Sequence, residues 1–385
     1  MHKLAKRVNI IGTSMIEESL RIVEKHPEVI SLGAGEPDFP APSNVISAAE
    51  KFLEKGYTHY APMQGRLELR KALVKKLKKE NKINANEDEI IVTCGSKEAI
   101  LLSVLTLVDP GEEVIIPDPG YIGYRPIVEL IGGKAVALKL KEGDNFEYHP
   151  ENLEKLITRK TKLIVVNTPS NPTGTVFKKK TLEEIADIAV DKDIMILSDE
   201  AYEKLVYDKA KHISIASLNG MKEFVITTQT FSKTFAMCGF RVGYAVATKT
   251  IIKEMEEFKL CTTISAPTFA QLAAIEALRG SKKYAEKMRR EYDRRRKMLI
   301  KRLNQMQNIE CIKPEGAFYA FPNITGLKIN SVEVAKFLID KAKVATVPGI
   351  EFGKYGEGYL RLSYATAYEK IETAMDRIEK AVSKI

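Results

Sequence analysis

From Glu89 to Leu140 the hydrophobic and polar positions change period element by element. Glu89 to Cys94 holds a short β-branched run bounded by polar residues, which predicts a buried strand. Ser96 to Leu107 predicts a helix, Glu113 to Pro117 a strand, Tyr121 to Ile131 a helix, and Ala135 to Leu140 a strand. Strands alternating with helices imply βαβ units and a mostly parallel sheet. Four further apolar runs, at Leu163 to Val166, at Ile194 to Leu197 and near Phe224 and Arg241, extend that sheet to seven strands. The charged stretch from Ser281 to about Gln307 predicts a long helix, followed by strands near Phe318, Val344 and Tyr359 and a final helix from Tyr368. The expected fold is therefore α/β, with a large domain over residues 45–285 and a smaller α+β domain over 286–385. Residues 1–44 are expected to form an N-terminal arm that joins the small domain. A chain of 385 residues exceeds what one core usually supports, which agrees with two domains.

Chemistry-bearing residues follow the apolar runs. Ser170-Asn171-Pro172-Thr173-Gly174 lies after the first of the two strand-like runs, and Ser198-Asp199-Glu200-Ala201-Tyr202 directly after the second. Ligands of open α/β sheets bind at the carboxyl ends of strands. Lys233 stands between aromatics in Thr230-Phe231-Ser232-Lys233-Thr234-Phe235, ahead of Gly239-Phe240-Arg241-Val242-Gly243. Desolvation lowers a lysine pKa and leaves neutral amine able to attack an aldehyde, so Lys233 is a Schiff-base candidate, although most lysines are solvated surface charges. Gly95-Ser96-Lys97 opens a helix, where free N–H groups favour an anion, and a plain Ser96 N-cap fits the same residues. Arg361, in the alternating segment Gly358 to Tyr364, is placed to serve a carboxylate.

In this order, and with Gly33-Ala34-Gly35-Glu36-Pro37-Asp38-Phe39, Thr58-His59-Tyr60-Ala61-Pro62 and Arg361-Leu362-Ser363-Tyr364-Ala365-Thr366 added, the chain resembles the class I aminotransferases of fold type I, which use pyridoxal 5'-phosphate (PLP). Tyr292 to Lys297 and Ser363 to Lys370 are similar to archaeal aspartate or aromatic aminotransferases, and Lys97 with Asp118-Pro119-Gly120-Tyr121 also to LL-diaminopimelate aminotransferases. The resemblance implies that Lys233 binds the cofactor and carries the proton. Asp199 would pair with the ring nitrogen, with a turn aspartate as the bland alternative. Tyr202 and Asn171 would hold the ring hydroxyl oxygen, and Tyr121 would stack on the ring; packing or turn roles are open for each. Gly95, Ser96, Lys97, Thr230 and Arg241 would bind the phosphate, and Arg361, Gly35 and Asn171 the substrate carboxylate. Tyr60 would reach the phosphate of the other subunit, which implies a homodimer. The expected activity is a ping-pong exchange between an L-amino acid and a 2-oxo acid. Glutamate and 2-oxoglutarate form one pair, and aspartate, an aromatic amino acid or LL-diaminopimelate belongs to the other. Met15, Met63, Ile122 and Arg125 are candidates for the specificity pocket, with core packing the competing role for the apolar ones.

Composition adds limits. With 44% hydrophobic and 29% charged residues the chain is globular in type. Its net charge of +9 is spread over helices with interleaved acids, which favours solvated faces and small anionic substrates over nucleic acid. The four cysteines, Cys94, Cys238, Cys261 and Cys311, fit neither a zinc pattern nor a disulfide framework, so no metal is expected and the compartment is read as reducing. Without a signal-like or spanning apolar stretch, the expectation is a cytoplasmic protein with no membrane partner. A fold-type I β-lyase or synthase shares most of these residues and is the alternative enzyme. A PLP-sensing regulator is the alternative of another class, but the resemblance begins by about Ile30 and leaves little chain for a DNA-binding module.

Overall fold

The computed structural model describes residues 4–10 and 21–384. Its strands, in chain order, are β1 (Ile30–Ser31), β2 (Ile90–Thr93), β3 (Glu113–Asp118), β4 (Lys134–Lys139), β5 (Thr161–Asn167), β6 (Met195–Asp199), β7 (Val225–Thr230), β8 (Gly243–Val246), β9 (Tyr319–Ala320), β10 (Val344–Ala345), β11 (Val347–Pro348) and β12 (Leu360–Ser363). β2 to β8 form one seven-stranded sheet in the order β2-β8-β7-β6-β5-β3-β4. All neighbours from β7 to β4 run parallel, and β8 alone runs antiparallel to both of its neighbours. Strands β2 and β3 are buried along their whole length, as continuous apolar runs require when helices cover both faces. Edge strand β4 is different: its end residues, Lys134 and Lys139, are exposed and blunt the open edge.

The C-terminal elements build a second core, which Ala201, Tyr202, Leu205 and Tyr207 after β6 also enter. The helix Lys282–Leu303 buries Met288, Tyr292, Leu299, Ile300 and Leu303, and packs with the amphipathic helix Tyr368–Val382 around β9, β10 and β12. β12 pairs antiparallel with β11 and β9. β1 pairs parallel with β10, Ile30 opposite Val344, so the N-terminal segment is stitched to strands more than three hundred residues away. Leu32 joins the same core.

Three boundaries differ from the pattern reading. The long helix stops at Leu303 because the Asn304 side chain turns back onto the main chain of Cys311, accepting from its N–H at 2.7 Å and donating to its carbonyl at 3.1 Å. The helix expected from Tyr121 begins at Tyr124, since Gly120 N–H is bonded to Phe352 O at 2.8 Å and the chain is held as a loop. That delay leaves Tyr121 and Ile122 free to face the sheet edge. Arg241, placed near a strand by its sequence, precedes β8 in the left-handed region at φ +55°.

Candidate active site

A cavity of about 330 Å³ opens at the carboxyl ends of β5, β6 and β7. Asp199 closes β6 and is 5% exposed. Its Oδ2 accepts from Tyr124 Oη at 2.7 Å and its Oδ1 from Ala201 N–H at 3.2 Å. Burial pushes its pKa up, and the Tyr124 and Ala201 hydrogen bonds oppose that rise. No cationic side chain among the described residues forms an ion pair with it, so a buried carboxylate faces the cavity uncompensated. Asn167, at the end of β5, donates to Asp199 O at 3.0 Å and accepts from Asn171 N–H at 2.9 Å, which fixes the Ser170 to Gly174 loop beside β6. On the far side of the turn, Glu200 accepts from Ser198 at 3.0 Å and Ser214 at 2.6 Å, and Glu203 is ion-paired with Lys76. These bonds lock the turn that presents Tyr202.

Lys233 lies in the single turn Phe231–Thr234 after β7, which Thr230 caps by accepting Ser232 N–H at 3.2 Å. The lysine Nζ donates to Gly35 O at 2.7 Å. Burial pulls its pKa below the ordinary lysine value; Cys238 and Glu36 oppose this, while Arg361 and Arg241 lower it further. The Cys238 thiol donates to Ser232 O at 3.3 Å and is itself pushed up by burial.

At one end of the cavity the helix Ser96–Leu107 presents its first N–H groups, with Gly95 before it at φ +81°. A side chain on Gly95 would come within 2.8 Å of Arg241 Nη2, so glycine is what lets the guanidinium lie across the helix start. Arg241 donates to Cys238 O at 2.8 Å and Cys94 O at 3.0 Å and pairs with no carboxylate among the described residues. This end is cationic and rich in donors, a setting for a phosphate or carboxylate.

At the other end Arg361, in β12, is 3% exposed. Its Nη1 donates to Asn171 Oδ1 at 3.2 Å and its Nη2 to Gly33 O at 2.6 Å, while Nε is buried with no acceptor among the described residues. The guanidinium lies between Tyr319 and Phe352, 4.5 and 4.9 Å from their ring centroids. Burial lowers its pKa, with the phenols of Tyr319, Tyr202 and Tyr121 acting in the opposite sense. Tyr202 and Tyr319 share a hydroxyl hydrogen bond of 2.9 Å, and burial raises both phenols.

Twelve of the thirteen expected residues line this one cavity: Gly35, Gly95, Ser96, Lys97, Tyr121, Asn171, Asp199, Tyr202, Thr230, Lys233, Arg241 and Arg361. Tyr60 does not; it is 79% exposed. Gly35 enters through its carbonyl on Lys233, and it is Gly33 whose carbonyl meets Arg361. Among the specificity candidates Ile122 lines the cavity, but Arg125 is turned away onto Glu129, 3.2 Å, and Ala135 O. Met63 is likewise outside the lining, its carbonyl accepting Lys259 Nζ at 2.6 Å, and Met15 lies outside the described residues. Tyr124, Asn167 and Tyr319 were not expected. Asn167 carried a signal, being an amide at the end of a buried apolar run.

The family model for aminotransferase class I and II matches residues 27–378, so the chain belongs to this family and is an aminotransferase. The family is in general PLP-dependent. The chain is 47% identical over 382 residues to an aspartate aminotransferase of Pyrococcus abyssi, covering 98% of each. It is 46% identical over 384 residues to an aromatic-amino-acid aminotransferase of Thermococcus litoralis, covering 99% of this chain and 98% of that one. The crystal structure of an aromatic aminotransferase from Pyrococcus horikoshii superposes with a TM-score of 0.91 at 47% identity, over 96% of this chain and 99% of that one. Among the described residues no helix is long and apolar enough to cross a membrane.

Proposed function

We propose that the chain binds PLP in this cavity and exchanges an amino group between an L-amino acid and a 2-oxo acid in two half-reactions. The observation that carries the reading is the convergence in one cavity of three buried charged groups with no ion pair among the described residues: the amine of Lys233, the carboxylate of Asp199 and the guanidinium of Arg361, whose Nε has no acceptor. Each fits a complementary group of a bound cofactor and amino acid. Lys233 would hold the cofactor covalently and Asp199 its ring nitrogen. Asn171 and Tyr202 would meet the ring hydroxyl, and Gly95, Ser96, Lys97, Thr230 and Arg241 the phosphate, with Tyr121 against the ring. When bound, PLP supplies the electron sink for labilising a bond at the substrate Cα.

The chain's own work is then positional and acid–base. Arg361 orients the α-carboxylate, Asp199 supplies negative charge at the cofactor's nitrogen, and the Lys233 amine carries a proton to and from Cα. The Tyr124 hydrogen bond favours the ionised form of Asp199 against the rise that burial causes. Tyr124→Phe removes a charge-assisted hydrogen bond of roughly 1.5–3 kcal/mol, so kcat is expected to fall about tenfold or more with KM little changed. Steady-state kinetics check this.

Glutamate and 2-oxoglutarate are the proposed common pair. Aspartate is preferred as the second substrate, because relatives are named for aspartate. An aromatic amino acid is the second reading, supported by the name of the Thermococcus relative and the apolar face of Ile122. A homodimer in which Tyr60 completes the neighbouring site is supported by the exposure of Tyr60, with Leu67 and Leu260 also exposed. A division into domains at residues 44 and 285 is supported by the core that joins Leu32 to residues 288–382, although Ala201, Tyr202, Leu205 and Tyr207 also enter it. A reducing, cytoplasmic setting is supported by four free cysteines.

The experiment is a visible spectrum of the protein with PLP, followed by a panel of amino acids. Glutamate and aspartate are expected to bleach the lysine-linked band, and 2-oxoglutarate to restore it. A band that no amino acid discharges would remove transamination in favour of a lyase or binding role.

A further inference from the structure

Asp118 ends β3 and is 1% exposed, yet it pairs with no cation among the described residues. Its carboxylate is taken up by main chain from the far end of the sequence: Lys354 N–H at 3.1 Å on Oδ2 and Tyr355 N–H at 2.9 Å on Oδ1. Two residues on, Gly120 N–H donates to Phe352 O at 2.8 Å. Gly353, between these contacts, has φ +123°, and any side chain there would collide with the Asp118 carboxylate. Three hydrogen bonds and one close approach thus clamp the Asp118-Pro119-Gly120 turn to the segment Phe352 to Tyr355. A buried carboxylate costs free energy unless fully bonded, so the clamp is held by both partners together.

One side of the clamp continues into a wall of the cavity, and the other packs against a residue of a different wall. Downstream of Asp118 come Tyr121 and Ile122. On the other side Phe352 lays its ring under the Arg361 guanidinium, 4.9 Å from the centroid. We propose that Asp118 is a positioning residue for substrate: by joining these segments it fixes the spacing between the Arg361 fork and the Tyr121–Ile122 wall. The proposal rests on the reading of Arg361 as the carboxylate-binding residue. A substrate held by its carboxylate at Arg361 meets that wall with its side chain, so a loosened clamp costs binding before it costs chemistry. Asp118 itself does not line the cavity.

The test uses the PLP-loaded enzyme and the Asp118→Asn variant, which keeps the volume but offers one acceptor oxygen instead of two. KM for the amino acid is expected to rise about tenfold, in line with the cost of a remote misplacement, with kcat within about twofold and the lysine-linked absorbance unchanged. Gly353→Ala, whose methyl would collide with the Asp118 carboxylate, opens the clamp from the other side and carries the test if Asp118→Asn does not accumulate as folded protein; the same rise in KM is expected. Unchanged KM in both variants, or KM, kcat and thermal midpoint all degraded together, overturns the assignment in favour of a merely structural role. A wild-type enzyme that exchanges no amino acid instead overturns the reading of the cavity, and the clamp's role with it.

Discussion

Lys233→Ala is expected to lower transamination on the order of ten-thousandfold, the upper range for a positioned acid–base group, and to abolish the visible band of the lysine-linked cofactor. The size follows from the absence of a substitute. Of the other cavity cations, Arg241 is spent on two main-chain carbonyls and Arg361 on Asn171 and Gly33, and a guanidinium does not deprotonate in the working range. Lys97 belongs to the helix start rather than to the turn after β7. The fold is expected to survive, because among the described residues the only side-chain hydrogen bond lost is that from Nζ to Gly35 O. The pH dependence gives a second readout. The Lys233 pKa is lower in the folded chain than its ordinary value near 10.5, so between the two the unfolded state binds more protons and wild-type stability rises with pH. The alanine variant lacks that contribution. Turnover within tenfold of wild type would remove Lys233 from the mechanism.

Much of this site was readable before any coordinates, and the reason is physical. Parallel strands covered on both faces must be apolar throughout, so β3, β5 and β6 stand out as runs, and the polar residues at their carboxyl ends mark the cavity edge. Asn171 and Asp199 are of that kind, whereas Lys233 follows β7, whose carboxyl half is Thr and Gln, and is marked by the aromatics on either side of it. What was not readable depends on pairing at long range. Tyr124 looks like an aromatic on a helix, and only the approach of Asp199, 75 residues later, gives its hydroxyl a role. Asp118 looks like a turn residue before proline, yet its partners lie at Lys354 and Tyr355. Strands β9 to β12 are two to four residues long and are set by partners rather than by periodicity. Tyr60 is the reverse case, legible as part of a motif yet exposed in a single chain.

Arg361→Lys is the second large effect, expected to reduce kcat/KM for the amino acid roughly a hundredfold or more, about 3 kcal/mol by the cost of breaking a buried, hydrogen-bonded charge pair. Lysine keeps the charge, so the prediction isolates geometry. The guanidinium plane is set from four directions: Asn171 Oδ1, Gly33 O, and the rings of Tyr319 and Phe352. A planar fork held against two rings can meet a carboxylate with both oxygens engaged, while an ammonium offers one point. The main-chain carbonyl of Gly33 would also compete for the lysine donors, drawing the charge away from the substrate. Because the lost interaction serves ground state and transition state alike, most of the loss should appear in KM, with kcat falling less. Arg361→Met removes the charge as well and should be worse by a further factor, since Asn171 then keeps an amide oxygen with no donor from β12. Cofactor absorbance should stay intact in both variants. If Arg361→Lys binds and turns over the amino acid as the wild type does, the carboxylate is held elsewhere in the cavity, and the open Nε of Arg361 needs another partner.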